Sequence, residues 1–506
     1  MNTLNIIKSS LIGVMIILFL STSANNITID SLKVIGAVAS TTKQIEFKIG
    51  WAMSWRMITQ PSNHDAVWVF VKYKDCGSNR WSHVKLNPNV AAHSADFPLE
   101  VWADTSVQAG KIDSNGVFVR LSRPDTSCTI SNKKVTLEMV NLTPGEHDYR
   151  VFGIEMVYIP RSNFYLGDGG TNAEGNYYRF KSGNSDNPYQ ITKEFDTITW
   201  ANTFGRLYSS GYVLNAAFNA IPATFPKGYA EIYCMKYEVS QGQYVDFLNT
   251  LTVDQAAERA YTGGTYRNSI SGSWPNYASV TPDRANNYMC WSDLCAYLDW
   301  ACLRPMTEME YEKICRGPIN PVKGEYAWGT SNIVNMNTII MDATTSERCT
   351  DAIPGGYGPA NYGWDAQQGP YRVGIFSNTA SSRREAGASY YGVMEMTGNV
   401  DEQVICIYSA LSPFNQGINF TRKLGDGELS FTPTPGYSNQ GWTTETYTPA
   451  TGVLYHGVMF RGGGSAAATG GWYIDALEVS SRVEPNTSWF FIYSRQPHTS
   501  GGRGVR

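Results

Sequence analysis

The chain has 506 residues, of which 42% are hydrophobic, 13% aromatic and only 17% charged, against about 25% charged in an average soluble domain. Forty basic residues nearly cancel 44 acidic ones, leaving a formal charge of −4. This excludes the high net charge of a disordered chain and gives no basic footprint for nucleic acid.

In chain order, Lys8 precedes the apolar run 11–20, and Thr22, Ser23 and Ala24 supply small residues before Asn25. This is the pattern of a secretory signal peptide over residues 1–24. The run is about half of the roughly 20 residues that a spanning helix needs. No cysteine lies in or just after it to carry a lipid anchor, and no later segment is long and apolar enough to span a membrane. The mature chain is therefore expected to be secreted, as an extracellular or cell-surface protein.

Residues 25–152 read as strands and turns. Segments 45–50, 67–73, 117–121, 135–140 and 148–154 are β-rich and mostly alternate apolar with polar residues, with turn-forming stretches such as 141–145 between them. An all-β sandwich of the immunoglobulin or fibronectin kind is expected here. Cys76 and Cys128 stand alone in this region, and spacing leaves open whether they are bridged.

After Met156 the character changes. Segment 156–167 is again strand-like, and short capped helices follow. Ser240 with Gln243, and Thr307 with Glu310, have the spacing of capping boxes, in which each hydroxyl accepts an amide proton three residues on and the partner side chain reaches back. Residues 291–303 form a third amphipathic pattern, and from Tyr326 onward the chain is rich in Gly, Asn, Tyr and Ser. A compact α+β domain held by long ordered loops is expected over 153–506. The nine cysteines show no CxxC pattern and the six histidines no helix-face spacing, which argues against a zinc site or a His-clustered iron.

Seven ordered segments of this second domain resemble the formylglycine-generating-enzyme, or sulfatase-modifying-factor, family. They are MVYIPRSNFYLGD (156–168), YCMKYEVSQGQYVDFLN (233–249), LRPMTEMEYEKICRG (303–317), YAWG (326–329), GVMEMTGNVDEQ (392–403), FRGGGS (460–465) and GGRGVR (501–506). The resemblance covers 156–506 apart from a Tyr- and Asn-rich insertion over about 169–228, and it implies a C-type-lectin-like fold. It also implies where copper chemistry belongs, at two cysteines shortly after the Gly-Gly-Ser block. Here 462–482 reads GGGSAAATGGWYIDALEVSSR, with no cysteine after Cys406. Ala466, Ala467, Ala468 and Tyr473 cannot replace thiolates, the soft ligands that select Cu(I). Neither copper nor catalytic residues are expected, and the chain is expected not to be an enzyme. Another branch of the family uses a three-histidine iron in an added helical domain, and this chain lacks both the histidines and the helical pattern.

The resemblance further implies structural Ca2+. Carried over position by position, Glu395 and Glu402 would supply carboxylates, and Gly398 and Val400 backbone carbonyls. A second set takes Asp365, Gln367, Asn337 and Thr338. All-oxygen ligation of this kind suits a hard cation. Two tryptophans of the family motif are Asp401 and Gln403 here. Arg461, Arg482 and Arg506 lie in blocks around the family's substrate groove, and the structural role of pairing with buried acids is expected for them.

The expected function is that of an exported, non-catalytic structural or interaction component of a surface assembly. Its partners would be proteins, either further copies of itself or other surface proteins, as in bacterial surface and gliding-motility proteins that carry this domain. One alternative is a calcium-dependent carbohydrate-binding module, with Tyr177, Tyr178 and Tyr189 stacking on glycans. The other is a cysteine-oxidising oxidoreductase of the family's own kind.

Overall fold

The computed structural model describes residues 27–102, 114–170, 177–210, 219–363, 369–377, 382–407, 417–431, 435–442, 457–465, 474–483, 495 and 500–506. The expected signal peptide, 1–24, lies outside these residues.

The N-terminal region forms strands β1 (Thr28–Ile35), β2 (Lys43–Arg56), β3 (Asp65–Asp75), β4 (Leu99–Trp102), β5 (Val117–Leu121), β6 (Thr126–Val140) and β7 (His147–Ile159). One sheet runs β1-β2-β6, antiparallel throughout. The second runs β7-β3-β5-β4 and continues beyond β7 into the C-terminal region through β8 (Ile232–Met235), β13 (Gly504–Val505) and β9 (Arg304–Pro305). Ile45, Phe47 and Ile49 of β2, with Val135, Leu137 and Met139 of β6, meet Val67, Val69 and Val71 of β3 in one core. The intervening residues Ala66, Trp68 and Phe70 face the opposite way, into the core of the C-terminal region.

β3 is thus buried on both faces, which explains the unbroken apolar run AVWVFV where alternation was expected. The Trp68 indole donates to the Ala301 carbonyl at 2.9 Å, and Phe70 meets Trp300 edge-on at 5.1 Å. β7 behaves alike. It passes through the expected domain boundary at 152/153 without a break, sending Tyr149 and Val151 to the first core and Phe152, Ile154 and Met156 to the second. Two separate strands were expected there. They are one, because each half has a different core on the same sheet to cover it.

Four α-helices follow among the described residues: α1 (Gln241–Leu248), α2 (Val253–Arg259), α3 (Trp291–Trp300) and α4 (Glu308–Arg316). The capping boxes at Ser240 and Thr307 form as expected, and a further one, Thr252 with Gln255, opens α2. α3 stops three residues before the expected Leu303. Cys302 takes φ +59°, and the Leu303 amide bonds back to the Leu298 carbonyl at 2.8 Å. This is a Schellman stop. Long loops and two- or three-residue ladders make up most of the remainder, including a three-stranded sheet of β11 (Val458–Arg461), β10 (Asp401–Ile405) and β12 (Ser500–Gly501). The architecture is mostly β with few helices. All nine cysteines are unbridged, Cys76 and Cys128 included. Among the described residues no helix is long and apolar enough to cross a membrane.

Candidate functional site

The loop before β10 is wound tightly: Glu395, Gly398 and Asn399 have φ of +49°, +85° and +72°. Three buried acids fix it. Glu238 accepts the Val400 amide at 2.9 Å and the Asn399 side-chain amide. Glu395 accepts the Gly374 amide at 2.9 Å through Oε1. Glu402 accepts Arg503 Nε at 3.1 Å and Nη2 at 2.7 Å, both on Oε1. Arg503 also donates to the carbonyls of Met394 at 2.7 Å, Glu395 at 3.0 Å and Lys236 at 3.2 Å. One guanidinium thereby ties β10, the tight loop and the chain after β8.

The second oxygens of Glu395 and Glu402 are buried, and neither meets a hydrogen-bond partner among the described residues. Burial pushes both carboxyls up to about 7 despite Arg503, and pushes Glu238 well above the ordinary carboxylate range. Two orphaned carboxylate oxygens beside a loop of backbone carbonyls suit a hard cation. The same face carries a guanidinium, and no group of three His, Cys, Asp or Glu side chains converges to hold a metal among the described residues. Any cation here would draw most of its ligands from backbone oxygens. The Gly398 amide is spent on the Gly462 carbonyl at 2.9 Å. Gln403, at an expected tryptophan position, donates to the carbonyls of Met289 at 2.9 Å and Gly501 at 2.8 Å, replacing bulk by polar ties.

The second expected set is not brought together by the described residues. The Asn337 and Thr338 amides cap Asp351 at 2.9 and 2.7 Å, and the Thr338 hydroxyl donates to the same carboxylate at 2.7 Å. Asp365 and Gln367 lie outside the described residues, as do Ala466, Ala467, Ala468 and Tyr473. Asp351 also lines an open cleft of about 700 Å³ with Met336, Arg348, Arg372 and Phe376.

Arg461 and Arg482 are fully enclosed. Arg482 pairs with Glu308 at 2.6 Å and Glu312 at 2.5 Å, and Arg461 reaches Glu312 at 3.7 Å. Burial alone would raise Glu312, but Arg482, Arg316 and Arg461 together hold it at about 2. Arg506 donates to the Cys302 carbonyl and lies 3.7 Å over the Trp68 ring. All three arginines therefore brace the core. Tyr178 and Tyr189 are half-buried and pack against that core, and the side chain of Tyr177 lies outside the described residues.

The sulfatase-modifying factor enzyme 1-like domain matches residues 209–505. The chain belongs to this family. The match takes in the tight loop, β10 to β12 and Arg461, Arg482 and Arg503, whereas the N-terminal sheets and the 156–168 segment precede it. No curated protein matches the chain.

Sequence reasoning missed Glu238, Arg503 and Asp65 as structural centres. Only Asp65 carries a sequence signal, a charge at the head of the apolar DAVWVFV run of β3, whereas Glu238 and Arg503 stand in mixed or glycine-rich segments. Such a charge is kept only with a partner.

Proposed function

We propose that this member of the family is an exported, non-catalytic component of a surface assembly. It joins an immunoglobulin- or fibronectin-like sandwich to a C-type-lectin-like domain stiffened by calcium at Glu395 and Glu402. The observation that carries this reading is the absence of any cysteine after Cys406, where the family places its copper thiolates. Two further features support it. One sheet runs through both halves of the chain. Ile58, Phe97 and Trp102, at 64%, 61% and 38% exposure, leave large apolar side chains on the sandwich, as protein contact surfaces do.

Sedimentation and electron microscopy of the native particle, with copper reconstitution in parallel, test the proposal. Self-association or a stable protein partner with no retained copper is expected. A strictly monomeric chain that binds copper and oxidises a cysteine peptide would sink it.

A further inference from the structure

Asp65, Glu155 and Lys236 meet on one face of the shared sheet. Asp65 on β3 lies opposite Val157 of β7, Glu155 stands two residues along β7, and the Lys236 amide bonds the Glu155 carbonyl at 2.9 Å just past β8. Lys236 Nζ is 2.6 Å from Glu155 Oε1, and Asp65 stands beside the pair, close enough for its charge to act on both partners. Asp65 is held by three donors: Trp51 Nε1 at 3.0 Å, Ser54 Oγ at 2.7 Å and the Trp55 amide at 3.0 Å. The Trp55 ring roofs the amine at 4.8 Å. Asp65 and Glu155 are 0% and 1% exposed, and Lys236 7%.

We propose that Lys236 and Glu155 condense within the folded chain to an amide cross-link, with Asp65 relaying the protons. An amine and a carboxyl held in contact react as if at very high effective concentration. Burial pushes the Glu155 carboxyl up toward its neutral form, whereas Glu155, Tyr237 and Asp65 outweigh burial and hold Lys236 as the ammonium, so the amine must shed its proton before it attacks. Atoms balance without a co-reactant. The Lys236 ammonium passes one proton through Asp65 to a Glu155 Oε, and the freed lone pair forms the N–Cδ bond to Glu155. The bond from Cδ to that protonated Oε then breaks, and the oxygen takes the second amine proton, again through Asp65, and leaves as water. Net, one ammonium and one carboxylate become one amide and one water, and Asp65 ends as it began. Asp65 suits the relay because its three donors hold it in one place beside the pair. Glu155 is the acylated partner because, among the described residues, the ion pair of Lys236 is with Glu155. The bond would fasten the last sandwich strand to the family domain.

A tryptic map of the full chain decides this. Trypsin cuts after Arg150, Arg161, Lys227, Lys236 and Arg259. With the cross-link, cleavage after Lys236 is lost, and peptide 151–161 is found joined to 228–259 at a combined mass lower by one water, about 18 Da. The Asp65→Asn variant, confirmed folded by near-UV circular dichroism, is expected to yield the two peptides largely unjoined, and Glu155→Ala entirely so. Free 151–161 with normal cleavage after Lys236 in the folded wild-type chain would overturn the proposal. So would a link from Lys236 to Asp65, or undiminished joining in Asp65→Asn. The wild-type map alone is decisive if a variant does not fold.

Discussion

Glu402 and Arg503 face each other with no access to solvent, the carboxylate on β10 and the guanidinium just beyond β12, joined by contacts of 2.7 and 3.1 Å. Arg503 spends its remaining donors on three carbonyls of neighbouring segments. Removing it leaves a buried charge and three acceptors unmatched. Arg503→Met is expected to destabilise the chain by about 3–5 kcal/mol in guanidinium unfolding, and the double variant with Glu402→Gln by clearly less. A double variant that loses the sum of the two single losses would show that the pair is not coupled.

Calcium and pH should act together at Glu395 and Glu402. Burial favours their protonated forms, so the folded chain holds extra protons from the ordinary carboxylate range up to about pH 7. Without metal, their contribution to stability is present at acidic pH and is lost as pH rises through 7. A bound cation competes with those protons. Millimolar calcium against chelator is expected to raise Tm on the order of a few degrees at pH 8, and much less at pH 5.5. Identical melting curves at pH 8 would remove the calcium site.

Gly462 has φ +81°, and a Cβ there would lie 2.4 Å from Glu402 Oε2 and 3.0 Å from the Met396 carbonyl. Gly462→Ala therefore combines left-handed strain with a blow to the acid cluster. A loss of about 2–4 kcal/mol is expected by denaturant titration. A loss below about 1 kcal/mol would mean the loop rearranges freely.

Thiol labelling should divide the nine cysteines. Six are buried, and burial pushes the Cys234 and Cys290 thiols up to about 12, so neither presents a thiolate near neutral pH. Only Cys76, Cys128 and Cys349 are exposed or half-buried. Titration with an aromatic disulfide reagent is expected to count no more than three thiols in the native chain and nine in denaturant. Fast labelling of a fourth in the native state would contradict the described burial.

Local chemistry was legible in the sequence wherever it was self-contained. The boxes at Ser240 and Thr307 were readable because cap and partner lie three residues apart. The blocks of Arg461 and Arg482 pointed to the family's substrate groove, and their buried, structural roles were expected only because the thiolates are missing. The end of α3 was not readable, since Cys302 is no usual left-handed residue and only the tertiary setting imposes that turn. The pairing of β7 with β8 joins residues almost 80 apart, and Arg503 meets Glu402 across 101 positions. Periodicity carries no record of such distances, and both faces of β3 and β7 being covered erased the alternation that would have separated inside from outside.

The unbroken course of β7 has an engineering consequence. A fragment ending at residue 152 would sever that strand halfway, bare Trp68 and Phe70 on one side, and open the unpaired edge of β3 to a foreign chain. The two halves are thus poor candidates for exchange or separate expression. Pulling on one would load the other in shear through eleven paired positions of β3 and β7 rather than at a hinge.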